Sequence, residues 1–488
     1  MRCCNHKITQ IFTRNCKDKR GQKFYNPLNR NRNKAKVIKL SYEKGTIVVK
    51  SNFKLPHTVW DIRSNSYRCL PMFYKDLIDY LKLSGLDYEE GVLDLMPMQN
   101  LACNLTLHDY QKDAMNKWLQ TKSGALVLPT GAGKTIIGIK AISVLNVPTL
   151  IVVPTLELVQ QWKKELENKL GIDVGTYSGE RHILKPVTIA TYDTAYLRAE
   201  ELGNRFLLLV FDEVHHLPSP GYANISEMFI APYRLGLTAT YEREDERHND
   251  LERLIGGKVY EIGIDKLSGK HLAEYTTKKI ITDLTGEERA EYEKYHSVFT
   301  DFLKKKNIIL KSPKDFRLLV MRSGRDASAR EALLARNRAR RVALNSKSKL
   351  IALSEILDKH FSERMIIFTE HNSLVYAISK EFLIPAITHT TQKEERAEIL
   401  NNFREGKYKA VVTSKVLEEG IDVPEASVGV ILSGSGSKRE YKQRLGRILR
   451  KKEGKLAILY EIVSKKTTEM GIARRRRGTK AKTSERAI

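Results

Sequence analysis

The sequence predicts an α/β protein with two parallel-sheet domains in series, preceded by a small α+β module and interrupted by a helical insertion. From Gly124 onward, apolar runs of strand length alternate with amphipathic helical stretches, and the same alternation starts again at Met365. Strands covered by helices on both faces have this pattern, which is typical of parallel sheets. The length of 488 residues is consistent with about three domains.

Residues 37–100 are predicted to form the small module together with its exit linker. Lys36–Leu40 and Thr46–Val49 have the apolar pattern of short strands, and the periodicity of Tyr74–Leu83 predicts a helix. Residues 1–36 form a basic N-terminal extension, which is either genuine or the product of a misassigned start.

Residues 101–250 contain the first alternating series and are assigned to one α/β domain. Its predicted strands are Ala125–Leu128, Leu150–Val153, Val187–Ala190, Phe206–Phe211 and Leu235–Leu237. Helices are predicted between them at Lys134–Leu145 and at Leu156–Leu170, and Gly171 follows the second helix as a stop signal.

Residues 251–470 contain the second series and are assigned to the second α/β domain. Its predicted strands are Met365–Phe368, Ala386–Thr388, Lys409–Val412, Val428–Leu432 and Leu456–Tyr460. A helical insertion is predicted at about 287–344, with helices Glu287–Lys306 and Ala327–Leu344 flanking a loop at Ser312–Pro313. Its basic face would contact nucleic acid, or it is an ordinary solvated helix pair.

The positive charge is concentrated at the two ends of the chain. Lys plus Arg is 84 against 58 for Asp plus Glu, a net charge of +26, of which residues 1–40 carry +11 and residues 438–488 carry +13. Such ends suit sequence-independent contact with phosphate, and the alternative is a pair of solvated tails. Residues 471–488 are assigned to a basic C-terminal tail.

Composition also predicts a soluble protein of a reducing compartment. No apolar run approaches the ~18 residues of a membrane span, and the N-terminus has no apolar block of the signal-peptide kind. Five cysteines, an odd number in a long chain, argue against a disulfide framework. We expect a cytoplasmic, nucleoid-associated protein, or a nuclear one if the source is eukaryotic.

A phosphate-binding loop is predicted between a strand and a helix, at Leu128-Pro-Thr-Gly-Ala-Gly-Lys-Thr135. Backbone N–H groups around Thr130, Gly131 and Gly133, with the helix N-terminus, would surround the phosphates of a nucleotide. Lys134 would reach the β- and γ-phosphates, and Thr135 would offer its hydroxyl to Mg²⁺. Leu128 stands where the general motif has its first glycine.

An acidic pair follows the buried strand Phe206–Phe211. Asp212 is expected at the carboxyl end of that strand, where ligands bind in open α/β sheets. There it would hold Mg²⁺, while Glu213 would polarise a water molecule for attack on the γ-phosphate. A strand-end Asp-Glu by itself is more often a solvated turn, and the upstream phosphate loop favours the catalytic interpretation.

The ordered set of motifs resembles superfamily 2 helicases and translocases, whose two motor domains are RecA-like. The matching segments are Leu107-His-Asp-Tyr-Gln111, Val153-Pro-Thr-Leu156, Asp212-Glu213-Val214-His215, Thr238-Ala239-Thr240, Thr413 with Glu419-Gly-Ile-Asp422, and Gln443-Arg-Leu-Gly-Arg-Ile-Leu-Arg450. The resemblance implies ATP as substrate, Gln111 as the residue that recognises adenine, Asp422 as a nucleotide-binding residue, and His215, Thr238 and Thr240 as residues that couple nucleotide state to nucleic acid.

Gln443, Arg447 and Arg450 are expected to complete the catalytic site from the second domain. Arg447 and Arg450 are three positions apart and so share one helix face. If the second domain closes on the first, these guanidiniums would reach the γ-phosphate, where an arginine is worth ~10³–10⁵ in rate. The alternative is a surface amphipathic basic helix.

Further segments resemble XPB-type DNA helicases of the archaeal branch. Arg243-Glu244-Asp245 follows Thr240 at the position of that family's Arg-Glu-Asp element, for which our hypothesis is strand separation, and the module and helical insertion resemble its damage-recognition domain and thumb. Val430-Ile-Leu-Ser-Gly-Ser-Gly-Ser437 and Glu453-Gly-Lys455 are similar to the archaeal members.

This resemblance implies ATP-dependent 3′-to-5′ unwinding or remodelling of duplex, forked or single-stranded DNA in nucleotide excision repair or transcription. It also implies a nuclease as a possible partner protein and no membrane association. The alternatives are a double-stranded DNA translocase that does not separate strands and, less favoured, an RNA helicase or nucleotide-gated clamp.

Other conspicuous residues are not assigned a site. Cys3, Cys4, His6 and Cys16 do not have the spacing of a zinc site. His215 and His216 are adjacent, so their side chains are expected to diverge. Arg474–Arg477 is most simply an unfolded basic tail, with docking on DNA phosphate or on a partner as the alternative.

Overall fold

The computed structural model describes residues 37–101, 103–179, 181–414, 425–434, 437–448, 456–477 and 484–487. The described residues form two compact units. The first takes in the chain up to Leu126, Thr135–Leu237 and Glu242–Tyr260, and the second takes in Val127–Lys134, Thr238–Tyr241 and the chain from Glu261 onward. No helix in these ranges has the length and apolarity to cross a membrane.

The N-terminal module is a five-stranded sheet with one α-helix. Its strands are β1 (Ile38–Glu43), β2 (Thr46–Lys50), β3 (Thr58–Asp61), β4 (Ser66–Cys69) and β5 (Tyr88–Gly91), in the spatial order β3-β4-β2-β1-β5, and its helix is α1 (Tyr74–Leu83). The helix has the predicted bounds because buried side chains recur at Tyr74, Leu77, Ile78 and Leu81, the spacing of one helical face. The sequence patterns did not predict β3, β4 and β5.

The module is anchored within the first unit by polar contacts to the α/β domain. The Tyr42 hydroxyl donates to the Ala199 carbonyl at 3.1 Å, and Asn204 Nδ2 donates to the Val92 carbonyl at 2.8 Å. Burial raises the pKa of the Tyr42 phenol, so the hydroxyl also stays a donor at alkaline pH values where a free phenol ionises. These bonds tie the module and its exit linker to the domain.

The first large sheet has eight strands among the described residues, in the order β13-β6-β12-β11-β7-β10-β8-β9. The strands are β6 (Ser123–Val127), β7 (Thr149–Val153), β8 (Gly175–Ser178), β9 (Arg181–Ile183), β10 (Val187–Thr191), β11 (Leu208–Asp212), β12 (Tyr233–Thr238) and β13 (Lys258–Glu261). The helices are α2 (Asp109–Thr121), α3 (Lys134–Leu145), α4 (Leu156–Leu170), α5 (Tyr192–Leu197), α6 (Ala199–Leu202), α7 (Ala223–Met228) and α8 (Asp250–Ile255).

The strands at the centre of this sheet are parallel. β11 pairs in parallel with both β7 and β12, and every residue of β7, β10 and β11 is buried, as the continuous apolar runs predict. The predicted helices α3 and α4 have the expected bounds, and Gly171 caps α4 in the left-handed conformation at φ 63°. The sheet continues to β13, beyond the domain boundary that the sequence places at residue 250.

The second large sheet has seven described strands in the order β16-β17-β15-β18-β19-β14-β20, and neighbouring strands among them pair in parallel. The strands are β14 (Glu274–Thr282), β15 (Met365–Phe368), β16 (Ala386–Ile387), β17 (Ala410–Thr413), β18 (Val428–Ile431), β19 (Leu456–Ser464) and β20 (Ser484–Ala487). Outside the insertion, the helices are α9 (Ile264–Leu267), α13 (Lys347–Lys359), α14 (Asn372–Phe382), α15 (Lys393–Arg404), α16 (Lys438–Ile448) and α17 (Thr468–Arg477). The α/β class with two parallel-sheet domains is confirmed.

The insertion is helical, as expected, and contains α10 (Gly286–Lys305), α11 (Pro313–Arg322) and α12 (Ala327–Leu344). Phe299, Phe302 and Leu319 pack with alanines of α12 in its core. The sequence interpretation missed α11, although Ser312 and Asp315 have capping-box spacing at its start, and Asp315 N donates to Ser312 Oγ at 3.3 Å.

The interpretation of Arg474–Arg477 as an unfolded basic tail is wrong. These residues belong to α17, and Arg476 is buried against Glu461 of β19, with 2.8 Å between Nη1 and Oε1. Composition alone could not reveal this, because a run of arginines has the same local sequence whether or not a buried carboxylate lies opposite one of them.

Candidate active site

The predicted phosphate loop connects β6 to α3. Gly131 and Gly133 have positive φ angles of 85° and 73°, in the region that favours glycine. Lys134 is the first residue of α3, and its Nζ lies 3.4 Å from the Leu128 carbonyl oxygen. Left-handed residues next to right-handed ones make anion-binding nests, and a helix N-terminus adds partial positive charge. The loop therefore fits a phosphate group.

Asp212 ends β11 and is held by groups from two helices. Trp162 Nε1 of α4 donates to Asp212 Oδ2 at 2.8 Å, and the Tyr192 hydroxyl donates to the Asp212 carbonyl oxygen at 3.1 Å. The Trp162 ring packs on Gly138 of α3, where a Cβ atom would lie 2.6 Å from it. Burial, with the nearby Asp212 charge, raises the pKa of Tyr192. Trp162 therefore orients the carboxylate and Tyr192 fixes the backbone of Asp212, both as neutral donors.

Glu213 has a strained backbone beside Asp212. Its φ and ψ of 50° and 54° are left-handed, which is uncommon outside glycine and concentrates at functional sites. The turn brings Glu213 Oε2 to 3.4 Å from Nδ1 of the buried His215. The His215 and His216 rings do not diverge as expected, because the 3₁₀ turn places their centroids 4.4 Å apart.

The Arg243–Asp245 element is folded onto the turn that contains His215. Arg243 Nη1 donates to the His215 carbonyl oxygen at 2.6 Å, and Arg243 Nε and Nη2 donate to the two Asp245 oxygens at 2.8 Å and 2.7 Å. The Arg243 guanidinium holds the pKa of Asp245 below its usual range. Glu244, between them, is exposed. The structure thus brings Arg243, Asp245 and His215 together.

Thr238 and Thr240 are buried and bonded to each other. Thr238 Oγ1 donates to the Thr240 carbonyl oxygen at 2.8 Å and accepts from Thr240 N at 3.1 Å. The Leu128 N–H, at the base of the phosphate loop, donates to the Thr238 carbonyl oxygen at 2.9 Å. This main-chain bond connects the motif to the phosphate loop.

Gln111 lies in the first turn of α2 and is buried. Its Oε1 accepts from the backbone N–H of His108 at 3.0 Å, which caps the helix. Recognition of adenine by Gln111 remains a prediction.

The described part of the arginine motif, residues 443–448, lies in α16. Gln443, Arg444 and Arg447 are buried there. Within the second unit, Gly446 lies against Thr130, because a Cβ atom at position 446 would be 2.4 Å from the Thr130 Cβ. Only glycine avoids displacing the phosphate loop, so α16 and the loop are packed together. Arg450 and Asp422 lie outside the described residues.

The residues assigned to Mg²⁺ are chemically suited to it. Thr135 is half-buried in the first turn of α3, and Asp212 is a buried carboxylate, so both offer hard oxygen ligands. In the described ranges, no group of three or more His, Cys, Asp or Glu side chains is arranged to hold a metal. One hydroxyl and one carboxylate suit Mg²⁺, which usually keeps water and substrate phosphate oxygens as its other ligands.

Sequence reasoning missed Trp162 and Tyr192. Trp162 lies on the apolar face of an amphipathic helix, and Tyr192 follows a buried strand, so both have the sequence signature of ordinary core residues. Nothing in their local sequence indicates an aspartate many positions away. Only the folded sheet places them beside Asp212.

Three family models match this chain. Residues 40–92 match the Xeroderma pigmentosum group B helicase damage recognition domain, residues 104–243 match the type III restriction enzyme res subunit, and residues 348–452 match the helicase conserved C-terminal domain. In chain order, the three matches fall on the module, on strands β6–β12 of the first sheet and on strands β15–β18 of the second sheet.

Curated relatives agree with these matches. "DNA 3'-5' translocase XPB2" of Sulfurisphaera tokodaii is 45% identical over 441 residues, which are 90% of this chain and 100% of that protein. "DNA 3'-5' helicase XPB" of Mycobacterium tuberculosis is 31% identical over 76% of this chain and 63% of its own length. Among solved structures, the Hef helicase domain of Pyrococcus furiosus matches with a TM-score of 0.49 and 20% identity, over 75% of this chain and 96% of that one. From the full-length match at 45% identity together with the damage-recognition and helicase models, the chain belongs to the XPB-type helicase family.

Proposed function

We propose that the protein is an ATP-dependent 3′-to-5′ DNA helicase or translocase that unwinds or remodels duplex DNA in repair or transcription. The observation that carries the proposal is the packing of α16 against the phosphate loop, where Gly446 lies against Thr130. This contact supports a site in which phosphate-binding and arginine groups act on one nucleotide. The 3′-to-5′ polarity and the DNA substrate are proposed from the names of the two relatives.

The proposed division of labour follows the chemistry of the side chains. Lys134 binds the β- and γ-phosphates, and Glu213 orients the attacking water. Thr135 and Asp212 hold Mg²⁺, which when bound neutralises charge on the phosphate oxygens. Arg447 stabilises the transition state. Gln443 and Arg450, from the same sequence motif, are proposed to be catalytic residues as well.

Coupling of ATP hydrolysis to DNA is assigned to the turn after β11 and the loop after β12. His215 faces Glu213 and accepts a hydrogen bond from Arg243 through its carbonyl oxygen. A change at the nucleotide would reach Arg243 through this turn. Thr238 has a similar position, because its carbonyl oxygen is bonded to the phosphate loop.

A double-stranded DNA translocase that does not separate strands is the second candidate. It is favoured by the name of the 45% identical relative, which describes a translocase. The two candidates share the ATP site and differ in what the Arg243–Asp245 element does to DNA. Association with a nuclease partner and membership of the archaeal branch remain predictions from the resemblance.

ATP hydrolysis and strand displacement, measured together on DNA and RNA substrates, test the proposal. We expect DNA-stimulated hydrolysis that Lys134→Ala abolishes, because the phosphates lose their cation. The matched control is Lys140→Ala, which removes a half-buried lysine from the same helix and should retain activity. Retained turnover in Lys134→Ala, or stimulation by RNA alone, would refute the assignment.

Strand displacement and triplex displacement on tailed DNA separate the two candidates. A helicase displaces strands from substrates with a 3′ tail, whereas a translocase displaces the triplex strand only. Replacing Arg243, Glu244 and Asp245 with alanine should lower strand displacement while DNA-stimulated hydrolysis stays within about twofold. Glu244→Ala is the control, because Glu244 is exposed and the contacts to Asp245 and His215 come from Arg243. Equal loss of both activities in the triple variant would contradict a role in strand separation.

A further inference from the structure

Three successive carbonyl oxygens after β18 are each held by a different buried cation. Lys349 Nζ donates to the Leu432 carbonyl at 2.7 Å, Arg444 Nη1 to the Ser433 carbonyl at 3.4 Å, and Arg476 Nη2 to the Gly434 carbonyl at 3.0 Å. This segment, 432–434, precedes α16 in the sequence, and the helix starts at Lys438. We call residues 432–434 the entry segment of α16.

Two of the cations are neutralised by their own buried carboxylates. Lys349 of α13 lies 2.7 Å from both oxygens of Glu469, and Arg476 of α17 lies 2.8 Å from Glu461 Oε1. All four side chains are at most 3% exposed. Burial lowers the pKa of Lys349, and the Glu469 carboxylate opposes that shift. Each of these two cations therefore bonds both a buried carboxylate and a carbonyl oxygen of the entry segment.

Arg476 bonds the carboxylate and the entry segment through two different nitrogen atoms. Nη1 faces Glu461 of β19, and Nη2 faces the Gly434 carbonyl oxygen. A planar guanidinium can do this because its donors have a fixed fork geometry, which a lysine ammonium lacks. The orientation of Arg476 is thus set by the sheet and transmitted to the entry segment.

Gly434 is the point at which two of these cations meet. A Cβ atom there would lie 2.5 Å from Arg444 Nη1 and 3.2 Å from Arg476 Nη2. Because both guanidiniums are buried, neither can swing into solvent to make room. A side chain at position 434 would therefore displace these guanidiniums from their present positions.

Helix α17 is itself fixed at its start. The Thr468 N–H donates to the Tyr292 hydroxyl at 2.9 Å, and the Ser464 hydroxyl donates to the Ala343 carbonyl oxygen at 2.7 Å. Tyr292 and Ala343 belong to the helical insertion, on α10 and α12. Arg476 therefore extends from a helix that is fastened to the insertion at one end.

We infer that Lys349 and Arg476, each neutralised by a buried carboxylate, are positioning residues that hold the entry segment and thereby set where α16 presents Arg447. Neither residue touches the nucleotide in this scheme. The inference rests on the proposed ATP hydrolysis. It assigns a role to the arginine run 474–477 that differs from DNA docking, because Arg476 faces the protein interior.

The test compares four variants in the full-length chain by turnover, nucleotide affinity and thermal unfolding. Arg476→Met removes the hydrogen bond to the Gly434 carbonyl oxygen. It also leaves the buried Glu461 without this partner, so the midpoint temperature of thermal unfolding should fall. Arg476→Met combined with Glu461→Leu removes both charges and should recover most of that midpoint. Arg474→Met is the matched control, because Arg474 is exposed on the same helix. Gly434→Ala changes no charge and displaces the cations directly.

The positioning role predicts that recovery of stability does not restore catalysis. The Arg476→Met/Glu461→Leu double variant and Gly434→Ala should each lose on the order of 10- to 100-fold in kcat, as expected for a misplaced catalytic group, while KM for ATP changes little. Arg474→Met should match the unaltered protein. A double variant with recovered stability and unchanged kcat would overturn the inference, because the network would then be structural only.

A double-mutant cycle with Arg447 supplies a readout that general destabilisation would not move. In an Arg447→Ala background, adding the Arg476→Met/Glu461→Leu pair should cost less than about twofold more in single-turnover hydrolysis, because both changes remove the same interaction. Full additivity would overturn the inference. The proposed function fails separately, if the unaltered protein shows no ATP turnover that Lys134→Ala abolishes.

Discussion

The two units treat their buried charges in different ways. In the first unit, buried Arg234 donates to the Ala231, Ser226, Phe229 and Leu254 carbonyl oxygens and to the Ser226 hydroxyl, all of them neutral acceptors. In the second unit, buried Lys349 and Arg476 each face a buried carboxylate. Neutral dipoles hold a charge without cancelling it, whereas an ion pair cancels its own field.

The contrast between neutral partners in the first unit and ion pairs in the second matches the roles proposed for these side chains. Asp212 of the first unit accepts a hydrogen bond from the neutral indole of Trp162, and we propose that its negative charge contributes to binding a metal–nucleotide complex. The cations of the second unit are neutralised by Glu461 and Glu469, so they do not attract phosphate and serve to fix backbone. Buried charge therefore supports ligand chemistry in one unit and geometry in the other.

The largest expected effect distinguishes Arg447 from the neutralised cations beside it. Arg447→Ala should reduce kcat by at least ~10³-fold, because the transition state loses its arginine, with ATP binding retained. Steady-state hydrolysis with fluorescent-nucleotide binding measures both. Lys442→Ala is the control, since Lys442 is exposed on the same helix. A loss below tenfold would mean that Arg447, too, is a positioning residue.

The Lys349→Met variant tests whether Lys349 and Glu469 stabilise the fold as a pair. Lys349→Met should cost about 3–5 kcal/mol of unfolding free energy, because Glu469 would remain as an uncompensated buried charge. Lys349→Met combined with Glu469→Leu should recover most of this loss, since replacing both partners with apolar side chains is often nearly neutral. Chemical denaturation measures it. A double variant as unstable as the single one would show that the charges do not act as a pair.

Trp162 tests whether neutral donors keep Asp212 ready for Mg²⁺. Trp162→Phe should raise the Mg²⁺ concentration for half-maximal hydrolysis by about 10- to 100-fold, the usual cost of losing a group that orients a metal ligand. Trp118→Phe is the control, because the Trp118 indole donates to the Arg234 carbonyl oxygen and not to Asp212. Equal Mg²⁺ requirements in both variants would remove the contrast between the units.

The smallest effect is expected for a charge-conserving change in the first unit. Arg234→Lys should cost about 1–3 kcal/mol of unfolding free energy, because an ammonium cannot reach all the carbonyl oxygens that the guanidinium fork serves. Thermal or chemical unfolding measures it, with activity expected to follow the folded fraction. No loss of stability would mean that the fork geometry is irrelevant and that charge alone matters at this site.

Much of the fold could be predicted from local pattern. Helices α1, α3 and α4 begin and end where periodicity and Gly171 place them, and the strands that were predicted lie within a few residues of their expected positions. Strands β3–β5, β8, β9, β13, β14 and β20 were missed because they are short or partly polar. Helix α11 was missed although Ser312 and Asp315 mark its start.

The candidate site was predictable as chemistry and less so as contacts. Lys134, Asp212 and Glu213 stand after strands whose apolar runs are plain in the sequence. The partners Trp162 and Tyr192, the capping bond of Gln111, and the close approach of Gly446 to Thr130 join residues whose local sequences are unrelated. Such pairs become visible only when the chain is folded.

The sequence by itself determined the α/β class, the helical insertion, the phosphate loop and the order of the helicase motifs, because each depends on residues that are neighbours along the chain. Only the tertiary structure decided which charges are buried, what neutralises them, and that Arg476 faces Glu461 and Gly434 rather than solvent. The physical reason is that burial and pairing depend on side chains brought together from distant positions, and an arginine has the same local sequence in a solvated tail and in a core.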